Sequence, residues 1–375
     1  MLKGIHLTLM IGPAVPVPVP KEVLDSLVSV EVTTSTDGPS LFQLQFTLGN
    51  RSLLQTLFLA AGGAEIPLMR VVMVLTIAGT PDVLIDGVMT HHEMSPGSDS
   101  AHSVLTVTGE DLTRVMDYLD FTGFPFPAMP AEARVAIIVA KYAFFGLIPI
   151  VIPSVLIDMP IPTTRIPKQK GTDLAYVKSL ADVVGYTFYV EAGPEPGTSI
   201  AYWGPEIRVG VPQPALNINM DAYTNVESLG FQFKSDQKTM PTVTIQEPFT
   251  KAPVPLPIPD ITPLSPPLGL IPGTPKKFEP IKGTGKYTFP QALMIGLAKA
   301  ARTADSVTGT GTLDVLRYGQ VLKARRLVGV RGAGTAFDGL YYVKSVTNTI
   351  RRGQYKQKFT LVRNGLISTL PRVPV

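Results

Sequence analysis

The chain has 375 residues, long enough for two or three domains with cores of their own. Hydrophobic residues make up 45% and charged residues only 17%, against roughly 25% in ordinary soluble domains, so much of its surface is expected to lie in a membrane or against partners. There is no cysteine, which excludes disulfides and thiolate chemistry, and the net charge is only +4.

Residues 1 to about 112 read as β. The N-terminus lacks a signal-peptide pattern: Lys3 precedes a short apolar run that Gly12-Pro13 and the alternating Pro16, Pro18 and Pro20 cut off. Leu41–Leu48 is the cleanest strand, with Phe42, Leu44, Phe46 and Leu48 on one face and Gln43, Gln45 and Thr47 on the other. Ile5–Met10, Leu27–Thr33, Val71–Ile77, Val83–Met89 and Ser103–Thr108 are further strands. Turns are expected at Asp37-Gly38-Pro39, Gly79–Asp82 and Pro96–Asp99.

The pattern changes near Gly109-Glu110-Asp111-Leu112. Ala131–Phe145 reads as a helix entered from Pro130. The apolar stretch Ala133–Ile157 is interrupted by Arg134 and Lys141 and broken by Pro149 and Pro153. Its uncharged part is shorter than the roughly 20 residues of a spanning helix, so no membrane insertion is expected. The best helix begins after Thr172, an N-cap, and carries Leu174, Val177, Leu180, Ala181 and Val184 on one stripe up to Gly185. Tyr186–Glu191, the Gly193–Gly197 turn and Ser199–Trp203 complete an α+β unit.

A second β region opens near Val226, with Leu229, Phe231 and Phe233 alternating, and continues at Val243–Gln246. Ten prolines then fall between Lys251 and Pro280, an extended, polyproline-like excursion. Its prolines alternate with Val254, Leu256 and Ile258, so an ordered arm or loop within one domain fits better than a free linker. Phe289–Ala301 reads as a helix. Three strand-like runs close the chain, Thr312–Gly319, the run from Val321, and the run from Phe337 to Gly365.

Those closing residues hold the positive charge. From Leu313 onward there are twelve Lys and Arg against two Asp, an excess of +10, while the rest carries 21 basic and 27 acidic residues. Read as strands, Lys323 and Arg325 share one face, as do Lys356 and Lys358, with Leu322, Ala324, Val328, Val330, Phe359 and Leu361 opposite. A solvated basic face, a positive wall against a channel or partner, and direct DNA recognition are the three readings. Aromatics suited to base stacking are mostly missing between the basic positions.

No catalytic constellation competes with that pattern. His91-His92-Glu93 is the only metal-like cluster, and adjacent histidines on a strand point to opposite faces; His6 and His102 lack ligand spacing. No G-x-S-x-G elbow is present, Glu110-Asp111 suits capping, and Gly309–Gly311 and Gly332–Gly334 lack a phosphate-loop helix start. Neither a catalytic role nor a metal or other cofactor is expected.

The order of elements resembles the baseplate hub family of contractile tails: contractile-phage hubs, late control D proteins and the N-terminal half of the VgrG spike of type VI secretion. Three segments carry the likeness, Thr108-Gly-Glu-Asp-Leu112, the run QKGTDLAYVKSLADVVGYTF from Gln169 to Phe188, and the closing strands from Asp314 to Gly365. In the second, Tyr176 and Val177 stand where the family usually has Phe and Leu.

The resemblance implies an α+β, mainly β fold. It would have two tube-like β-barrels, at 1–112 and 216–375, an α+β insert at 113–215, and a Pro-rich arm or loop at 251–282. Three chains would form a pseudo-sixfold ring. That homotrimer would join a hexameric tail tube to a trimeric central spike, with tape-measure protein or DNA passing through its lumen and other baseplate proteins around it. VgrG chains run on into a spike and this sequence stops at Val375, so the spike is expected to be a separate chain. No lysozyme-like segment is seen. The protein would belong to the virion tail baseplate, assembled in the host cytoplasm, with Lys323, Arg325, Lys356 and Lys358 facing the lumen or the next ring. The hub of a phage-like secretion or injection system and a nucleic-acid or glycan binding module are the alternatives.

Overall fold

The computed structural model describes residues 5–13, 15–48, 68–96, 103–154, 160–163, 166–234, 239–246, 253–258, 265–274, 277–281 and 289–370. The Gly97–Asp99 turn, His102 and parts of the Pro-rich segment lie outside them.

The first β region holds β1 (Ile5–Pro13), β2 (Val17–Pro18), the short α1 (Lys21–Ser26), β3 (Leu27–Ser35) and β4 (Leu41–Leu48). It continues with β5 (Met69–Ile77), β6 (Thr80–Ser95) and β7 (Ser103–Asp111). The middle contains α2 (Ala131–Ala140), β8 (Leu147–Val151), α3 (Asp173–Val184), β9 (Thr187–Ala192) and β10 (Ser199–Gly204). Then come β11 (Gln213–Asn217), β12 (Ser228–Phe233), β13 (Thr239–Gln246), β14 (Pro253–Pro257), β15 (Gly269–Pro272) and β16 (Lys277–Pro280). The chain ends with α4 (Phe289–Arg302), β17 (Val307–Asp314), α5 (Val315–Tyr318), β18 (Leu327–Arg331), β19 (Gly339–Arg351), β20 (Gln354–Arg363) and β21 (Gly365–Ser368).

The fold is mainly β with few helices, as expected. The two β regions are joined into one sheet. One 13-stranded sheet runs β12-β17-β20-β19-β3-β4-β7-β6-β5-β1-β2, with β18 and β11 attached beside β19. The regions meet where β19 pairs antiparallel with β3, from Ser345 against Ser35 to Arg351 against Ser29. Among the described residues no strand pairing closes this path into a barrel. One apolar cluster spans both regions, from Leu9, Val32, Leu44 and Met73 to Val330, Val346 and Leu361.

β4 follows its alternation, with Phe42, Leu44, Phe46 and Leu48 buried. β5 departs from it: Met69 to Leu75 are buried on both faces. Val71, Met73 and Leu75 enter the main core, while Val72 and Val74 pack with Val83, Met10 and Ala192 of β9. A strand covered on both sides reads as a continuous apolar run, and this one does.

The inserted unit has its own core around Val135, Ile138, Val177, Phe188 and Trp203. In α3, Thr172 Oγ1 accepts from the Ala175 N–H and Gly185 ends the helix with a left-handed φ of 72°. α2 stops at Ala140, short of the expected Phe145, and Ala143–Phe145 form a separate 3₁₀ turn closed by Gly146 at φ 73°. There a Cβ would lie 2.1 Å from the Gly197 carbonyl oxygen, so the close approach requires glycine.

A buried ion pair fastens the insert to the sheet. Arg70 of β5 donates Nε and Nη2 to the two carboxylate oxygens of Asp86 on β6, at 2.7 and 2.6 Å. Its Nη2 also reaches the carbonyls of Phe145 and Gly197, at 2.8 and 2.9 Å, and Ser199 Oγ donates to Asp86 at 3.3 Å. The guanidinium's several donors let one residue of the sheet hold two loops of the insert.

The Pro-rich segment is not a polyproline excursion where it is described. β14 and β16 flank β13 in a small sheet, and β15 pairs with β21 near the C-terminus. Pro253, Pro255 and Pro257 alternate along β14, an edge strand, while the intervening positions serve the ladder, as the Ile258 N–H does to Pro241 at 3.0 Å. Period-two proline leaves the outer edge without donors and blunts further strand addition.

Arg70→Met should cost about 3–5 kcal/mol in chemical denaturation, because Asp86 is left buried and unpaired. Adding Asp86→Leu should restore most of that loss.

Candidate functional site

Away from β5, the long sheet has one apolar and one polar face, and the polar face runs through both β regions. Thr310 lies opposite Thr360, Thr312 and Thr347 flank Lys358, and Thr33 lies opposite Thr347. The same row continues as Glu31 against Gln43, Gln43 against Thr108 and Thr108 against His91. Hydroxyls and amides bond along the surface: Thr33 Oγ1 lies 2.9 Å from Thr347 Oγ1, and Ser29 Oγ donates to Gln45 Oε1 at 2.8 Å. On the opposite face Phe359, Leu361, Val346, Val32 and Val107 are buried.

Lys356 and Lys358 share this polar face, as their spacing predicts. Lys356 is neutralised by Glu227, 2.8 Å away, and Lys358 is exposed. The other charges on the face are Arg351, Glu31, Glu93, Glu110 and Asp314, so with Glu227 the acidic groups outnumber the basic ones. The excess of positive charge in the sequence does not make a positive wall here.

Lys323 and Arg325 are not on a strand. They lie in the turn before β18, which starts only at Leu327, and Thr312–Gly319 likewise divides into the end of β17 and the one-turn α5. Lys323 Nζ pairs with Asp82 of β6 at 2.5 Å. Arg325 has a left-handed φ of 61°, donates Nη2 to the Ser35 carbonyl at 2.6 Å and stacks 4.2 Å over the Tyr189 ring. These two cations therefore cross-link the first β region, the insert and the closing strands. The reason is the loop itself: Gln213 Nε2 and Oε1 hold the backbone of Lys323, and Gln357 does the same for Leu322. Leu322 and Ala324 are buried as expected, but by loop packing.

The Gln357 side chain, fully buried, also donates to Asn348 Oδ1 at 2.8 Å, which accepts from Tyr355 Oη at 2.7 Å. Asn348 Nδ2 donates to the Val32 carbonyl at 3.3 Å, so this network spans β20, β19 and β3. Nothing in the sequence marked it, since an isolated Asn or Gln within a strand pattern reads as surface.

The Gly-Glu-Asp-Leu segment acts as a corner. Asp111 accepts from the Ser40 N–H at 2.5 Å and from the N–H and hydroxyl of Thr113 at 3.0 and 2.5 Å, capping the 3₁₀ turn Leu112–Asp117. Burial raises its pKa despite those bonds. It lines a cavity of about 360 Å³ with Asp37, Lys178, Arg208, Asp305 and Lys344. Inside, Arg208 is bidentate to Asp305 at 2.6 and 2.9 Å and bonds Glu206 at 2.8 Å. Burial opposes the Arg208 charge, but its carboxylate partners hold its pKa above the ordinary value; burial raises that of Asp305. These groups are consumed by one another. Among the described residues no group of three His, Cys, Asp or Glu is placed to hold a metal ion. No helix among them is long and apolar enough to cross a membrane.

No protein-family model matches the chain, and no curated protein does. Solved structures do. A tail protein from Neisseria meningitidis MC58 is 13% identical, covers 97% of this chain over 98% of its own, and gives a TM-score of 0.62. The 43 kDa tail protein of prophage MuSo2 from Shewanella oneidensis is 15% identical over 96% and 98%, with a TM-score of 0.63. A chain of the Francisella PdpA–VgrG complex is 6% identical with a TM-score of 0.57, and this chain spans 55% of it. The chain thus has the fold of phage tail proteins and of a VgrG-containing complex, the fold that its sequence resembles.

Arg325→Ala should lower stability by about 1–3 kcal/mol, since it removes a half-buried guanidinium with its stacking partner. Lys358→Ala should stay within about 0.5 kcal/mol. Urea unfolding of the two variants checks the contrast.

Proposed function

We propose that this chain is a non-enzymatic structural hub of a contractile-tail baseplate. Three copies form a ring of six similar β units that adapts a hexameric tail tube to a trimeric spike and surrounds the channel between them. The observation that carries this reading is the near end-to-end match of fold with two tail proteins, over 96–97% of this chain and 98% of each of theirs. The low charge content supports it, because ring seams and both ring ends would be covered by partners. The division at about 112 and 215 belongs to the same proposal, with each β region as a tube-like unit and the α+β part between them.

In this reading the hydroxyl- and amide-rich face of the long sheet is the channel wall. Lys356 and Lys358 are its lumen-facing cations, and Lys323 and Arg325 act behind it. A wall without a positive excess suits a tape-measure polypeptide or DNA that must pass without being retained, since each phosphate neutralised by a fixed cation adds affinity. The particle belongs to a virion tail baseplate. A phage-like secretion or injection hub is the second reading, favoured by the fold shared with the PdpA–VgrG complex.

The chain purified with its spike should show a native mass containing three copies of the 40.3 kDa subunit. A strictly monomeric chain in assembled particles would sink the hub reading. Lys356→Glu with Lys358→Glu should leave assembly intact and alter passage through the tail. Unchanged ejection from normally assembled particles would remove these residues from the wall. Imaging the particle's head, or finding none, separates the two readings.

A further inference from the structure

Among the described residues the sheet has an open seam. β1 bonds to β5 along its whole length, from Ile5 against Ile77 to Pro13 against Met69. On its other side only Met10 and Ile11 pair with β2, and the Leu9 carbonyl accepts from the Val19 N–H at 3.0 Å. Strand alternation aims the N–H and C=O of Ile5 and Leu7 the same way as those of Leu9. Among the described residues, nothing pairs with them there.

The seam is also apolar. Ile5 and Leu7 face Leu27, Val28 and Val30 of β3, with Ile350 beside them, around a cavity of about 440 Å³. Val28 is 42% exposed. Its end is formed by the tip of the β19–β20 hairpin, where Arg351 and Arg352 are exposed. Arg352 donates to the backbone carbonyl of Asp25, and Asp25 supplies the single carboxylate lining the groove. Two guanidiniums against one carboxylate leave a net positive end to an apolar groove.

We propose that this seam docks an extended apolar segment of a partner polypeptide, which adds a strand to β1 and presents a carboxylate to Arg351 and Arg352. A free strand edge supplies main-chain hydrogen bonds, alternate apolar side chains fill the groove, and arginine's fork matches a carboxylate. This site is independent of the hub reading. It requires only the fold, and its occupant is a segment shorter than a domain.

The test uses the full chain and one peptide, acetyl-Val-Thr-Val-Thr-Leu, with a free or an amidated C-terminus. The free-carboxylate form should bind and slow amide exchange over Ile5–Thr8, and the amidated form should bind at least about tenfold more weakly. Arg351→Ser with Arg352→Ser should lose the same factor, and Val28→Glu should abolish binding with an unchanged unfolding midpoint. Absence of binding by both forms, equal binding of the two, or binding without protection at Leu7 overturns the proposal. Self-association of the chain alone that Val28→Glu abolishes also overturns it, because the occupant is then a second copy.

Discussion

The ladder between β3 and β19 is the interaction on which the rest depends. It joins residues more than 300 positions apart, from Ser29 against Arg351 to Ser35 against Ser345. Without it the chain would be two small sheets, each with an exposed edge and half a core. With it, β4, β7, β6, β5 and β1 extend one side and β20, β17 and β12 the other. Register matters here because a one-residue slip would turn Val30 and Val32 outward and Glu31 and Thr33 into the core. Asn348 reaching the Val32 carbonyl, and Thr33 meeting Thr347, hold that register from both faces.

Charge is used in two ways. Buried ions are tied to one another: Arg70 to Asp86 and Arg208 to Asp305, each with further acceptors. Such pairs add less net stability than their Coulomb attraction suggests, but breaking one strands its partner. They specify how the inserted unit sits on the sheet. On the polar face of the sheet, charge is sparse and without a positive excess, and hydroxyls dominate. A surface of that kind stays wet without attracting anions strongly, which is the physical basis for reading it as a wall.

Much of the fold was legible because periodicity reports burial directly. Leu41–Leu48 has the same bounds in sequence and structure, and the Thr172 cap and Gly185 end of α3 stand where their chemistry predicts. Local signals failed where long-range contacts decided the conformation. Lys323 and Arg325 continue an alternating pattern, but the Gln213 and Gln357 side chains bond the backbone there and a turn results. The alternating prolines of β14 suggest an unpaired helix, yet half the backbone of an edge strand needs no donors, so proline at every second position is compatible with a ladder. Of the candidate wall, the shared face of Lys356 and Lys358 was readable; the neutralisation of Lys356 was not, because Glu227 comes from a segment far away in the sequence.

The sequence by itself determined most strands of the first β region, the α3 helix with its cap and stop, and that the closing residues carry the positive charge. These follow from side-chain periodicity, capping chemistry and composition, all properties of near neighbours along the chain. Only the tertiary structure decided that the two β regions share one sheet, that Lys323 and Arg325 are internal fasteners, and that the polar face has no positive excess. Each of those depends on which residue stands across a ladder or a cavity, and separations of a hundred positions or more leave no local trace.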